Sequence, residues 1–541
     1  MLRQTIIFII GCLYWCCINA QNQPIHIIPE PAEIQINQGI SFILDKHTSI
    51  QFDKKLQKTA SYFTDYLHHY YNIHPSVNNI QATYKIILQL SDLNDISDHE
   101  EGYHLLNNGY EIKIVSKTEK GIFYGLQTLI QLISPEKKNS LSIPQVVIKD
   151  YPRFAYRGLH LDVSRHMFPV SYIKRYIDLL AFHKLNYFHW HLTDDQGWRI
   201  EIKQLPKLMS VGAWREGTII GLFPGKGLDS TRYGGYYTQE EVKEIIAYAE
   251  SRYVEIIPEI DIPAHNMATI AAYPELSTTP DIPKKVAVTW GIYNRQNNVL
   301  APSAKTFDFL KIVFDEISQL FPSKYIHIGG DEAAKQWWKQ SPESQQFMKE
   351  HGLKDEDELQ SYFIKEVQKM IHEKGKIIIG WDEILEGGIA PNAILMSWRG
   401  EKGGITAANM NHKVIMCPQE YLYFDLTQQK DDDSIVAIRS ITPWQKVYAY
   451  DPVPKELKKD KETFIWGAQA NVWTEYINNS SKLEYMVLPR LAAFSEVVWS
   501  PLSKRDIDQF ESKLWTQFHR YDLWKYNYYR IKRQTKSEST Q

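Results

Sequence analysis

From about residue 155 the chain alternates short apolar runs with amphipathic segments of helix length, and this alternation most narrows the folds open to it. Eight runs read as strands: "YRGLHLDV", "YFHWHL", "VEIIPEI", "YIHIGG", "KIIIGW", "AILMSW", "KVIMCP" and "FIWGAQANVW". Most are near-continuous in apolar residues, the pattern of parallel strands buried on both faces. Segments such as "SYIKRYIDLLAFHKL" (171–185), "TQEEVKEIIAYAESR" (238–252) and "ELQSYFIKEVQKMIHEKG" (358–375) carry apolar residues at helical spacing between them. Eight strands alternating with helices predict an α/β fold, a (β/α)8 TIM barrel over residues 151–505. The span exceeds a minimal barrel. Its excess falls at 196–237 and 262–305, in loops that leave the C-terminal face, where barrel active sites lie.

Residues 21–150 predict a small α+β accessory domain. "YKIILQLSD" (84–92) and "GYEIKIVS" (109–116) read as strands, and "TEKGIFYGLQTLIQLI" (118–133) as a helix starting at a Thr cap. The polar, Pro-bearing stretch 135–154 is expected to be the boundary with the barrel. A C-terminal helix and polar tail are expected over 506–541. The first 20 residues have a positive start at Arg3, an apolar run over 5–18 and a small-residue cleavage site at Ile18-Asn19-Ala20, which predicts a secretory signal peptide. The run is short for a membrane span, so no transmembrane segment is expected in the mature chain. Trp15 precedes Cys16 and Cys16 precedes Cys17, whereas a lipoprotein signal needs a small residue there; lipid anchoring is the lesser reading. Of the four cysteines only Cys417 lies beyond the leader, which excludes an internal disulfide in the mature chain. An exported protein of this size without disulfides suits a bacterial periplasmic or secreted enzyme. The net charge of −3 and the lack of a basic stripe argue against nucleic acid as a partner.

In a parallel barrel the polar residues that end strands surround one mouth. Asp162 and Arg165 follow the first strand, Asp194 and Asp195 the second, and Glu259, Asp261 and His265 the third. Asp331 and Glu332 follow the fourth, Trp381 and Asp382 end the fifth, and Trp398 and Arg399 the sixth. Tyr421, Tyr423 and Asp425 come after the seventh, Trp473 and Glu475 after the eighth. Adjacent acids such as Asp331 and Glu332 can simply cap a following helix. Two details favour a shared site instead. Gly329 and Gly330 clear side chains just before them, and strand alternation would send the two acids to opposite faces unless the strand stops there. Trp381, Trp398 and Trp473, on three strands, could form an apolar box. His189 and His191 in "HWHL", with His265, His327 and Asp331, have the residue types of a metal-dependent hydrolase. No His-Glu-x-x-His or cysteine cluster accompanies them, so structural support is the favoured reading. Neither a phosphate-binding Gly-rich loop nor a Gly-x-Ser-x-Gly elbow is present.

"HIGGDE", "RGLHLDVSRH", "NYFHWHLTDDQGWRIEI", "EIDIPAH" and "VWTEY" resemble the signature stretches of the family 20 β-N-acetylhexosaminidases, several long motifs in the right order, and "EKGIFYGLQTLIQL" resembles that family's N-terminal domain. The resemblance covers nearly the whole mature chain. It implies exo-acting, retaining removal of terminal GlcNAc or GalNAc from glycans or chitooligosaccharides, with the sugar's 2-acetamido oxygen as nucleophile, an exception to the two-carboxylate scheme. Glu332 would be the general acid and then the base, and Asp331 would accept the acetamide N–H. Repulsion between these adjacent acids should help Glu332 stay protonated. Trp381, Trp398 and Trp473 would wall the acetamide pocket and Tyr423 would donate to its oxygen, with Tyr421 a rival for that role. Arg165 and Asp194 would grip the 3- and 4-hydroxyls, Asp425 and Glu475 the 4- or 6-hydroxyl, and His265 would support the site. No metal and no organic cofactor is implied. The "DDQGWR" loop and the single mature cysteine align the chain with bacterial members rather than lysosomal ones. A metal-dependent hydrolase built on His189, His191 and His265, and a non-catalytic sugar-binding protein, are the competing readings.

Overall fold

The computed structural model describes residues 25–96, 99–138, 140–430, 432 and 435–531, and in it the eight expected runs close into one parallel barrel. The strands are β1 (Tyr156–Asp162), β2 (Tyr187–His191), β3 (Glu255–Ile262), β4 (Tyr325–Gly329), β5 (Ile377–Trp381), β6 (Ile394–Ser397), β7 (Val414–Met416) and β8 (Ile465–Ala470). β8 returns to pair with β1, so no edge is left open. Every residue of β1 is buried, as its unbroken run requires. The signal-peptide reading and the tail from 532 onward lie outside the described residues.

The surrounding helices form where the sequence supplies both a cap and a stripe. Helix Gln239–Glu250 starts at a capping box: the Thr238 side chain accepts from the Glu241 N–H at 3.2 Å, and the Glu241 carboxylate accepts from the Thr238 N–H at 2.8 Å. It buries Val242, Ile245, Ile246 and Ala249, the stripe expected of a helix lying on a barrel. The alternation breaks once. Between β5 and β6 there is only the 3-10 turn Asp382–Leu385, because residues 382–393 are too few for a crossover helix and include Gly387, Gly388 and Pro391.

The N-terminal region builds a seven-stranded mixed sheet, with helices Gln57–Tyr71 and Glu119–Leu132. The second of these is capped by Thr118, as expected, and is buried from Gly121 to Leu132. The stretch 135–154 is more than a connection. Its strand Val146–Asp150 lies antiparallel between Glu33–Ile36 and Tyr103–Asn107, because Val146 and Ile148 alternate into the core behind a polar, Pro-bearing start. The C-terminal helix Ile507–Leu523 returns across both regions. Arg520 donates to the His26 and Gln131 carbonyls at 2.6 Å each, and Trp524 stacks on Phe182 with ring centroids 4.1 Å apart. Among the described residues, no helix is long and apolar enough to cross a membrane.

Buried charge fixes the sheet against the floor of the barrel. Arg157, on β1, donates to both Glu101 oxygens at 2.8 and 3.0 Å. Lys184 Nζ lies 2.8 Å from Asp150 Oδ2 and 2.9 Å from the Tyr103 hydroxyl, and Trp499 Nε1 donates to the same carboxylate at 3.0 Å. Removing one member of such a pair leaves an uncompensated buried charge. Arg157→Leu is expected to destabilise the fold by about 3–5 kcal/mol, seen as a lower urea midpoint. A loss below ~1 kcal/mol would mean that Glu101 finds other partners at little cost.

Candidate active site

β4 stops at Gly329, and that stop turns both acids toward the mouth. Gly329, Gly330 and Glu332 have φ of 66°, 97° and 46°, so strand alternation ends before Asp331. A Cβ on Gly329 would fall inside the Asp261 carboxylate, which occupies the space the glycine leaves. Glu332 in the left-handed region costs about 1–3 kcal/mol, a strain of the kind that persists where surroundings over-determine a side chain. The capping alternative fails: the next helix, Gln336–Lys339, begins after Lys335.

One cavity of about 170 Å³ at the barrel mouth is lined by Asp331 and Glu332 together with Arg165, Asp194 and His265. Its walls are Trp381, Trp398 and Trp473 with Tyr423, and its remaining rim includes Asp425 and Glu475. Ring centroids separate Trp381 from Trp473 by 5.9 Å, Trp398 from Tyr423 by 6.3 Å and Tyr423 from Trp473 by 6.5 Å, so the four rings form one enclosure. Tyr421 does not line it; its ring stacks on Tyr450. Asp382 pairs with Arg399 beyond the wall, at 2.6 Å.

The electrostatics centre on two cations. Arg165 Nη2 lies 2.8 Å from Asp194 Oδ2, Nη1 lies 3.3 Å from Asp162 Oδ2 and 3.9 Å from Glu475 Oε1, and Nε donates to Gln196 at 2.8 Å. His265 bridges the acids: Nδ1 is 3.1 Å from Asp194 Oδ1 and 3.3 Å from Asp195 Oδ2, while Nε2 is 3.5 Å from both Asp331 Oδ2 and Glu332 Oε2. Burial disfavours the charged imidazole, but Asp194 and Asp331 raise its pKa well above the usual value. The expectation for Glu332 is corrected. Burial pushes its carboxyl up, yet the hydrogen bond and charge of His265, helped by Arg165, hold it below the usual range. Burial and the nearby Glu475 push Asp425 up to about 8.

Three supports were less legible in sequence. Glu383 accepts from Trp398 Nε1 at 2.9 Å and is pushed up to about 9 by burial, Asp331 and Asp382. Its only sequence signal is its place after the strand-ending Trp381-Asp382. Gln419 and Ile438 also line the cavity, and nothing in their local sequence marks them. His189 and His191 lie outside the cavity lining. Groups of metal-ligand residue types do gather near them, His189, Glu259 and His327 among these. His191, however, meets a carboxylate at each ring nitrogen, Glu259 at 2.5 Å and Asp194 at 2.9 Å, so both nitrogens carry protons and neither is free to ligate.

A parallel barrel whose mouth holds a carboxylate-rich, indole-walled pocket for one small polar ligand has the architecture of a barrel glycoside hydrolase. The chain belongs to glycosyl hydrolase family 20: the family's catalytic domain matches residues 154–502 and its domain 2 matches residues 24–151. A β-hexosaminidase of Porphyromonas gingivalis is 43% identical over 521 residues, covering 93% of this chain. The chain spans 64% of that relative's length. A β-hexosaminidase of Vibrio furnissii is 37% identical, over 87% of this chain and 76% of its own. The crystal structure of a Vibrio harveyi family 20 exo-β-N-acetylglucosaminidase in complex with N-acetylglucosamine superposes with a TM-score of 0.82 at 33% identity, over 93% of this chain and 78% of that one.

Because His265 supplies most of the downward pull on Glu332, its removal should let burial dominate. In His265→Asn, which keeps a residue tolerant of the φ of 55° at this position, the Glu332 carboxyl is expected to titrate above its ordinary value near ~4.3. Carboxyl-selective NMR titration reads this directly. An unchanged titration would show that another group sets the Glu332 proton affinity.

Proposed function

We propose that this chain is an exo-acting, retaining β-N-acetylhexosaminidase that removes terminal GlcNAc or GalNAc from glycans or chitooligosaccharides. The observation that carries the reading is Asp331 Oδ1, a buried carboxylate oxygen that has no hydrogen-bond partner among the described residues and stands at an indole-walled pocket. An acetamide matches that environment: its N–H supplies the missing donor, its methyl fits between Trp381, Trp398 and Trp473, and its carbonyl oxygen can accept from the Tyr423 hydroxyl. Asp331 and Glu332 follow one another on one strand end, whereas a two-carboxylate retaining site needs its acids to flank the scissile bond.

In the first step the acetamide oxygen bonds to the anomeric carbon as the glycosidic C–O bond breaks, and Glu332 gives its proton to the departing oxygen. Substrate seated over Glu332 displaces water and strengthens the desolvation that favours the protonated acid. Asp331 stabilises the positive charge that spreads onto the cyclised acetamide. In the second step Glu332, now a carboxylate, takes a proton from water, whose oxygen bonds to the anomeric carbon as the ring reopens, with net retention. Arg165, Asp194 and Glu475 hold the hydroxyls of the non-reducing sugar, and a cavity of about 170 Å³ suits one residue rather than a chain. The apolar leader supports export to the periplasm or medium, with N-acetylhexosamine-terminated glycans as the partners met there.

The acetamide's part is tested by two chromogenic β-glycosides that differ only at C2. Strong turnover of the N-acetylglucosaminide with almost none of the glucoside is expected; comparable turnover would assign the nucleophile to the protein. Glu332→Gln should cost about 10²–10⁴-fold on an unactivated glycan, the range of general acid catalysis, and far less on a good leaving group. Asp331→Asn should cost about 10²–10³-fold whatever the leaving group, because it weakens stabilisation of the cation. Equal leaving-group dependence in the two variants would reverse or merge the assigned roles.

A further inference from the structure

Beneath the cavity the barrel interior holds one carboxylate among four histidines, none of them used in the steps above. Glu259 on β3 is fully buried and level in register with His191 on β2 and His327 on β4. Its Oε1 accepts from Trp381 Nε1 at 3.0 Å and faces His327 Nδ1 at 2.9 Å. Its Oε2 faces His189 Nε2 at 3.0 Å and His191 Nδ1 at 2.5 Å.

For three of the four rings the remaining contacts settle where the protons lie. His189 Nδ1 accepts from the Gln469 side-chain amide at 2.9 Å, so the His189 proton sits on Nε2, toward Glu259. His160 Nδ1 accepts from the Val472 N–H at 3.2 Å, and its Nε2 faces the same carboxylate at 4.0 Å. His191 is protonated on both nitrogens, between Glu259 and Asp194. His327 Nδ1 accepts from the Gly329 N–H at 3.1 Å, so the donors toward Glu259 are Trp381, His189 and His191, which a carboxylate with only acceptor sites fits; an amide would turn hydrogens against them.

We propose that Glu259 is a positioning residue that fixes the acetamide wall and the hydroxyl grip as one unit. An indole has a single N–H, and that of Trp381 is spent on Glu259, which therefore sets the orientation of the wall. Through His191 the same carboxylate holds Asp194, whose other charged partners, Arg165 and His265, both line the cavity. What wall and grip do rests on the function proposed above. A polar cluster that merely fills the barrel would affect stability without separating kcat from KM.

The test is steady-state kinetics of the full chain on a chromogenic N-acetylglucosaminide. Glu259→Gln is expected to lower kcat and raise KM, with kcat/KM down about 100-fold, the scale of a misplacement near 1 Å. Glu259→Asp, which restores the charge, should regain part of that loss. Trp381→Phe removes the wall's tether to Glu259 along with part of its ring, and should lower kcat more than it raises KM. His191→Gln breaks the bridge between Glu259 and Asp194 while leaving Trp381 tethered to Glu259, and should raise KM more than it lowers kcat. Activity of Glu259→Gln within about threefold of wild type, well short of the ~100-fold expected, would overturn the proposal. Should that variant fail to fold, the opposite splits of Trp381→Phe and His191→Gln decide, and parallel changes in the two would overturn it. Wild-type discrimination between N-acetylglucosaminide and glucoside tests the underlying function separately: with discrimination intact and the split absent, only the role of Glu259 falls.

Discussion

Arg165 and His265 are shared by more acids than either could neutralise, and this sharing organises the barrel mouth. Arg165 faces Asp162, Asp194 and Glu475, while His265 faces Asp194, Asp195, Asp331 and Glu332. Asp194 belongs to both sets and couples them. Buried charge in such surplus persists only if it is paired, hydrogen-bonded or neutralised by a proton. All three solutions occur within one site. Asp194 is held ionised by Arg165 and His265 against the effect of burial, whereas Asp425 and Glu383, pushed up to about 8 and about 9, carry protons at neutral pH. The site thus mixes fixed carboxylates with protonated ones, as acid–base chemistry requires.

Geometry is what makes the arrangement reactive. Gly329 lets the Asp261 carboxylate approach the backbone, the strand ends, and Asp331 and Glu332 leave the alternation that would have parted them. The indoles are fixed by acids that stand behind the cavity lining, Trp381 by Glu259 and Trp398 by Glu383. Trp381 and the Arg165–Asp194 pair therefore belong to one connected set of contacts through Glu259 and His191. The N-terminal sheet is anchored to the opposite end of the barrel by Arg157–Glu101 and Lys184–Asp150, leaving the mouth to loops and ligand.

Much of this was readable from residue pattern. Apolar runs with little polar alternation can only be buried strands, so the eight barrel strands stood out, and Thr118 and Thr238 marked helix starts because a hydroxyl there accepts a backbone N–H. The eleven residues expected at the site gather around one cavity. The strand Val146–Asp150 was obscured because its polar approach reads as a connection, and the missing helix after β5 because strand pattern alone does not fix what joins two strands.

The sequence by itself determined the strand order, the strand-end chemistry and the glycine pair that frees Asp331 and Glu332, since these depend on local periodicity and backbone freedom. Only the tertiary structure decided that Tyr423 rather than Tyr421 faces the cavity, that Glu383 holds Trp398, and that His265 lowers the proton affinity of Glu332 where sequence neighbours alone suggested the reverse. The reason is physical. A proton affinity is set by every charge within a few ångströms and by the water excluded around it, and in a closed barrel those neighbours come from strands far apart in the chain.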